Sequence, residues 1–239
     1  MSALARFPAI LERIDTYSFF EDFITDQADT VMVDTITDTG TVLMGDAAGG
    51  IAVLTPSDGT VGDNDEAYLG TPNEIFKVAN GKPGGAECSL QFSEANTDDA
   101  NVCFGFMNAA NAVNSITDNG AGPKVSGSTF AIYKVDGGTV WKCASYVNGS
   151  GTVSTSTKTA GGSAYQRLSI ELVDHDATYG RAIYKVDGQP LIDSTTGLPI
   201  VHRFAYASAT EMNLFVGVKN GDTNLETLNV DWIGGWQKR

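Results

Sequence analysis

The sequence predicts an all-β protein, a sandwich or barrel of antiparallel strands, and three observations carry that prediction. From about residue 30 onward apolar and polar side chains alternate, the period of a strand with one wet face. The alternating runs are short and are parted by clusters such as "SDGTVGDND", "NGKPGG", "TDNGAGPKVSGS" and "NGSGTVSTSTKTAGG", whose Gly, Asn, Asp and Pro residues supply turn conformations that strands cannot adopt. Finally, 27 glycines, 42% hydrophobic and 18% charged residues suit a turn-rich globular chain better than a helical or disordered one. A chain of 239 residues is normal for one large sandwich. We read a single β domain over residues 29–239, preceded by an N-terminal segment over 1–28.

That N-terminal segment is the one departure from the period of two. In "FPAILERIDTYSFF", Phe7, Ile10, Leu11, Ile14 and Tyr17 follow a helical spacing, Pro8 suits a first helical turn, and Phe19 and Phe20 extend the apolar content. A short amphipathic helix and an extended arm both fit, packed either on another protein or on one end of its own sandwich. The strands follow. "AECSLQFSE" sets Cys88, Leu90 and Phe92 against Glu87, Ser89, Gln91 and Ser93. "NVCFGFM" is apolar on both faces, which predicts burial on both sides. "RLSIELV" alternates Leu168, Ile170 and Leu172 with Arg167, Ser169 and Glu171. "NLFVGVK" and "TLNVDWI" place Leu214, Val216 and Val218, then Leu228, Val230 and Trp232, on core faces.

One heptapeptide occurs twice: "AIYKVDG" at 131–137 and again at 182–188. The flanks differ, so a duplicated domain is disfavoured. We read each copy as a strand, "IYKV", running into "DG", the preferred central pair of a tight type I′ hairpin. Lys134 and Lys185 are then expected as exposed strand residues near an edge, where lysine discourages aggregation.

Charge and composition exclude several functions. A net charge of −14 argues against nucleic acid or an anionic membrane as a partner. No stretch approaches the roughly 18 apolar residues of a membrane span, and Arg6, Glu12 and Arg13 interrupt any leader-like run, so a soluble protein made in a cytosol is expected. Cys88, Cys103 and Cys143 are odd in number and widely spaced, and read as reduced, buried thiols.

Catalytic patterns are missing from the reading. His175 and His202 are the two histidines, and neither belongs to a recognised nucleophile motif. "VDHDATYG" groups Asp174, His175 and Asp176 at a strand end, where a polar turn is the simpler reading. The loop "DGTVGDNDEAYL" gathers Asp58, Asp63, Asp65 and Glu66, hard oxygen ligands of the kind that hold Ca²⁺, without the full alternation of an EF-hand. A solvated acidic loop is the plainer account. Glycoside hydrolysis needs two carboxylates across a cleft, and sandwich glycosidases present them from alternate positions of one strand. No E-x-D-x-x-E run exists here, and Glu226 and Asp231 in "LETLNVDWI" are an odd number apart, on opposite faces. Trp141, Trp232 and Trp236 are of a type that stacks on sugar rings, although Trp232 shares the face of Leu228 and Val230 and is expected in the core.

Several segments resemble a known family. "TDTGTVLMGDAAGGIAVLTPSDGTVGDNDEAYL", "SLQFSEANTDDANVCFGFMN", "DNGAGPK" and "VGVKNGDTNLETLNVDWI" are similar to structural proteins of tailed bacteriophages with a concanavalin A-like jelly roll. The resemblance spans most of the chain after residue 15 and rests on turns and core strands. It implies an antiparallel jelly-roll β-sandwich and a non-enzymatic virion component: a head decoration (cement) protein on the outer capsid surface, bound to the major capsid protein, as a homo-trimer. It implies no catalytic residue, cofactor or metal. Within that expectation the N-terminal residues Phe7, Ile10, Leu11, Ile14, Tyr17, Phe19 and Phe20 are the candidate interface. A lectin-like carbohydrate-binding module for host attachment is the alternative, and several aromatics on the solvent face of one sheet would favour it.

Overall fold

The computed structural model describes residues 15–24, 32–36, 38–45, 49–94, 99–108, 110, 115–206 and 210–239. Nineteen strands run through the described residues. In chain order they are β1 (Thr16–Glu21), β2 (Val33–Ile36), β3 (Thr41–Gly45), β4 (Ile51–Thr55), β5 (Glu66–Gly70), β6 (Phe76–Val78), β7 (Gly84–Ser93), β8 (Asn101–Met107), β9 (Ile116–Thr117) and β10 (Gly122–Pro123). They continue with β11 (Thr129–Lys134), β12 (Val140–Val147), β13 (Ser150–Thr159), β14 (Gln166–Asp174), β15 (Tyr179–Val186), β16 (Gln189–Pro190), β17 (Val201–Ala205), β18 (Thr210–Lys219) and β19 (Thr227–Lys238).

Two large antiparallel sheets form the sandwich. The first has the order β16-β15-β14-β7-β19-β4-β3, with β1 added to β19 and β17 to β15. The second runs β13-β12-β11-β8-β18-β5-β2, with β6 on β18. Between them lies the main core, where Leu54, Cys88, Leu90, Phe104, Phe106, Trp141, Leu168, Ile170, Tyr184, Val216, Val230 and Ile233 are buried together. The expected inward faces of β7, β14 and β18 are those observed. Trp141 is fully buried and donates its Nε1–H to Gln166 Oε1 at 3.0 Å, so it is a core residue and meets no external ligand. All three cysteines are free and buried.

The doubly apolar reading of β8 has a specific cause. Val102, Phe104 and Phe106 enter the main core, whereas Cys103 and Met107 join a second cluster on the outer face of the second sheet, with Tyr68, Ile116, Ala131, Tyr133, Ala144 and Phe215. The β9–β10 hairpin covers that cluster. It is fastened by a buried polar knot: Lys219 Nζ lies 3.2 Å from Glu66 Oε2 and 3.1 Å from the Ile116 carbonyl and also meets Asp118, while Tyr68 donates to Glu66 Oε2 at 2.6 Å and accepts from the Ile116 amide at 2.9 Å. Breaking such a buried pair at one partner costs about 3–5 kcal/mol.

Three expectations are corrected. Lys134 is not exposed: it is 1% accessible and points between the sheets, held by Glu94 Oε2 at 2.9 Å and the Ala100 carbonyl at 2.8 Å. Lys185 does lie on the surface side, paired with Glu171 at 2.5 Å. The tight "DG" hairpin forms in the second copy alone, where Asp187 (φ 54°) and Gly188 (φ 76°) join Val186 to its partner Gln189. In the first copy Gly137 takes the positive φ (67°) and a wider turn, closed by Gly138 N–H to Val135 O at 2.9 Å, spans residues 135–139. Third, Trp232 is not in the core. The register of β19 shifts between Val230 and Trp232, so Ile233 takes the buried position and Trp232 passes to the solvent face. A bulge inserts one residue and reverses every side chain beyond it.

Candidate functional site

Residues with chemical potential are mostly spent on structure. His202 is 5% exposed, with Nδ1 3.1 Å from Ser145 Oγ and Nε2 3.0 Å from Ser154 Oγ. Ser145 Oγ in turn lies 2.5 Å from the Tyr184 hydroxyl, which donates to the Ala144 carbonyl at 2.6 Å. Burial pulls the imidazole pKa down to about 4, opposed by the Asp193 charge. With both ring nitrogens engaged by hydroxyls, this group ties the two sheets together and has no open nucleophile beside it.

His175 sits in a turn, 3.9 Å from Asp176, whose Oδ1 accepts the Thr178 and Tyr179 amides at 2.7 and 2.8 Å. The Asp176 carboxyl is lowered chiefly by the Thr178 amide. Asp174 Oδ1 accepts from Gly81 N–H at 3.1 Å and from the Tyr206 hydroxyl at 2.6 Å. The Asp176 bonds close its own turn, and those of Asp174 tie the strand end to two distant segments.

The Ca²⁺ candidates part company. Asp65 Oδ2 accepts from Ser57 Oγ at 2.5 Å and Gly62 N–H at 2.9 Å, Glu66 is in the buried Lys219 knot, and Asp58 and Asp63 face solvent. Among the described residues no three His, Cys, Asp or Glu side chains are grouped to hold a metal ion. Glu226 is fully buried at the foot of β19, and Asp231 is the half-exposed bulge residue.

Of the N-terminal candidates, Phe7, Ile10, Leu11 and Ile14 lie outside the described residues. Tyr17, Phe19 and Phe20 belong to β1, which pairs with the far end of the chain from Thr16↔Lys238 to Glu21↔Ile233. Tyr17 and Phe19 turn inward, their rings 5.8 and 6.2 Å from Phe76. The Tyr17 hydroxyl meets the Ile75 carbonyl and lies 3.0 Å from Gln237 Oε1, and burial raises its pKa to about 12.

Phe20 points the other way and is 61% exposed, its ring 5.6 Å from Trp232. Because the bulge turns Trp232 outward, Gly234 and Trp236 follow it onto the same face, and Trp236 is 42% exposed. The two exposed rings lie over glycines. A Cβ at Gly234 would come within 3.3 Å of Phe20 Cδ2, and one at Gly85 within 3.0 Å of Trp236 Nε1. Across the strands the same face turns polar: Gly234 is followed by Glu87, Ser169 and Lys185, Gly85 by Glu171, and Trp232 by Ser89 and Arg167. Asp22 and Asp231 border the aromatic side, where burial first and then the Asp231 charge push the Asp22 carboxyl up. Ser89 and Ser169 are buried, so the first sheet presents an aromatic ledge packed on two glycines, bordered by the partly exposed Glu87, Arg167, Glu171 and Lys185. Sequence reasoning missed it, because Phe20 was assigned to an attachment arm and Trp232 to the core.

The outer face of the second sheet carries a cleft of ≈ 660 Å³ beside the β9–β10 cover, bounded by Thr35, Thr71, Asn73, Glu74, Asn108 and Asn213. Its polar groups largely bond one another. Asn213 Nδ2 donates to the Thr71 carbonyl at 2.7 Å, and Asn108 Nδ2 to Glu74 Oε1 at 2.9 Å. The aromatic rings beneath, Tyr68 and Phe215, are 3% and 1% exposed, so the cleft offers no ring face.

No protein-family model matches the chain, and no curated protein sequence does. Solved structures match its architecture. The carbohydrate recognition domain of Emp47p is similar with a TM-score of 0.57 at 10% identity, covering 93% of this chain and 96% of that one. Peanut lectin gives 0.56 at 8%, covering 93% and 97%. An endo-1,3-β-glucanase from Streptomyces sioyaensis gives 0.58 at 15%, covering 94% and 97%. At these identities the likeness establishes the fold: the chain is a lectin-like, concanavalin A-type jelly-roll sandwich.

Proposed function

We propose that this chain is a non-enzymatic structural protein of a bacteriophage virion, a decoration protein that binds the major capsid protein on the outer surface of the head as a homo-trimer. The observation that supports this reading best is the rooting of the N-terminal segment. β1 is a full strand of the nine-stranded sheet, so the apolar residues Phe7, Ile10, Leu11 and Ile14 ahead of it are tethered to a rigid, acidic body. A soluble body with one apolar attachment element is what a cement protein requires. The test is a truncation lacking residues 1–14. Residues 16–21 must stay, because removing β1 would strip Tyr17 and Phe19 from the core. The full chain is expected to co-sediment with heads of its cognate capsid protein, and the truncated chain to lose this while melting at the same temperature. Undiminished sedimentation of the folded truncation would refute the attachment role.

A second reading is a carbohydrate-binding module of the same particle. The exposed Phe20 and Trp236, with the partly buried Trp232 beside them on one sheet, favour it, since a solvent-facing aromatic ring can stack on the apolar face of a sugar. The lectin-type architecture is compatible with that role.

A further inference from the structure

We infer that the solvent face of the nine-stranded sheet around Phe20, Trp232 and Trp236 is a binding platform for a neutral saccharide chain. This rests on the second reading above and assigns its site and ligand class. A sugar presents two surfaces to a protein, an apolar face of C–H groups and a rim of hydroxyls. The platform supplies both. Phe20 and Trp236 cover glycines on their inner side, which stabilises the sheet by itself. That packing needs only one face of each ring, and the exposures of 61% and 42% leave the opposite faces to solvent. The two residues are diagonal neighbours across β1 and β19, about 7–8 Å apart in such a pair, so a ligand must extend beyond a single ring to touch both.

The glycines are as informative as the rings. Gly234 and Gly85 lie beneath the rings, so Phe20 and Trp236 sit low on the sheet, directly beside the partly exposed Glu87 and Glu171 and one strand further from Arg167 and Lys185. A flat ligand seated on the ledge can therefore reach donors and acceptors of both kinds along one edge.

Charge selects among ligands of this shape. Four acids, Asp22, Glu87, Glu171 and Asp231, surround the platform against two cations, Arg167 and Lys185, and Lys185 is already paired with Glu171. An anionic sugar or a nucleic acid would meet net repulsion, reinforced by the overall charge of −14. A dry protein interface is a poorer match, because the partly exposed Glu87, Glu171, Arg167 and Lys185 beside the rings are charged groups that it would have to desolvate. A neutral chain of hydroxyl-bearing rings incurs neither cost.

The experiment uses the full chain on a glycan array carrying neutral, sialylated and sulfated oligosaccharides side by side, followed by tryptophan-fluorescence titration with the best neutral oligosaccharide. Binding confined to neutral glycans is expected, with a change in emission and an affinity loss of about ten-fold in Phe20→Ala and in Trp236→Ala. Both variants should stay folded and melt only modestly below the parent, since each ring is largely exposed but covers one glycine, and Asn73→Ala at the cleft of the other sheet should bind normally. A blank array, equal binding of sulfated glycans, or full affinity in both ledge variants overturns the inference. Co-sedimentation of Trp236→Ala with heads separates the two readings. Retained sedimentation with lost glycan binding supports the platform, whereas lost sedimentation with a blank array makes the ledge a protein-docking surface and refutes it.

Discussion

The two copies of AIYKVDG, at 131–137 and 182–188, have the same residues and opposite orientations. In the first, Ile132 faces the main core and Lys134 lies between the sheets, while Ala131, Tyr133 and Val135 enter the outer cluster beneath the β9–β10 cover. In the second, Ala182, Tyr184 and Val186 face the main core, and Ile183 and Lys185 lie on the other side. Seven identical residues therefore do not determine which face goes in. Alternation specifies that the two faces differ, and the neighbours decide which one is buried. β11 lies between β8 and β12 and is covered on both sides, so either face can be apolar. β15 has a wet face, and its lysine goes there.

The largest predicted difference between the copies concerns those lysines. Lys134→Ala removes a cation that is 1% exposed and leaves Glu94 facing the sandwich interior beside the Ala100 carbonyl. We expect a loss of about 3–5 kcal/mol. Lys185→Ala removes a partly exposed pair with Glu171 and should cost less than about 1 kcal/mol. Urea denaturation of the two variants gives the comparison directly, and similar losses would contradict the opposite orientations.

A smaller contrast depends on pH and belongs to the second copy alone, because the His202 ring lies 5.3 Å from Tyr184 and bonds its partner Ser145. The folded pKa of His202 is depressed to about 4 by burial, below an unfolded value near 6.5. The unfolded chain therefore binds the proton first as pH falls. This contribution to stability is complete above about pH 6.5 and is lost on acidification towards pH 4, amounting to about 3 kcal/mol over the whole window. Other carboxylates titrate in the same range, so the measurement is the urea midpoint between about pH 7 and pH 4.5 in the parent and in His202→Gln. A flatter profile is expected in the variant; identical profiles would remove His202 as the cause.

These contrasts also mark what could be read in advance. The inward faces of β7, β14 and β18 follow from alternation, because each strand keeps one register along its length. The double burial of β8 followed too, since "NVCFGFM" has no wet face to offer. Trp232 was misplaced because the bulge after Val230 is visible only in the pairing with β7, and alternation read along one strand assumes no such break. Lys134 was misplaced because its partners, Glu94 and Ala100, sit on a loop some forty residues earlier, at |i−j| of 40 and 34. The ledge escaped for both reasons together. It needs the bulge to expose Trp232 and Trp236, and it needs β1 to pair with the last strand of the chain, which no local pattern encodes.

The smallest contrast lies in the turns. Asp187 adopts φ 54° in the two-residue hairpin, a left-handed conformation that costs an ordinary L-residue about 1–2 kcal/mol and that Asp tolerates through local hydrogen bonding. Its Oδ1 also accepts the Arg167 amide at 3.0 Å, closing β14 against the turn. Asp136, in the same place in the heptapeptide, has no positive φ, because Gly137 alone carries it and residues 135–139 absorb the reversal. Asp187→Ala is accordingly expected to destabilise by about 1 kcal/mol or slightly more, and Asp136→Ala by less than about 0.5 kcal/mol. Equal effects in thermal melts would mean that both copies use one turn after all. A larger loss at Asp136 would place the functional weight of that side chain in its surroundings, where burial, followed by the Asp99 charge, already raises its carboxyl pKa.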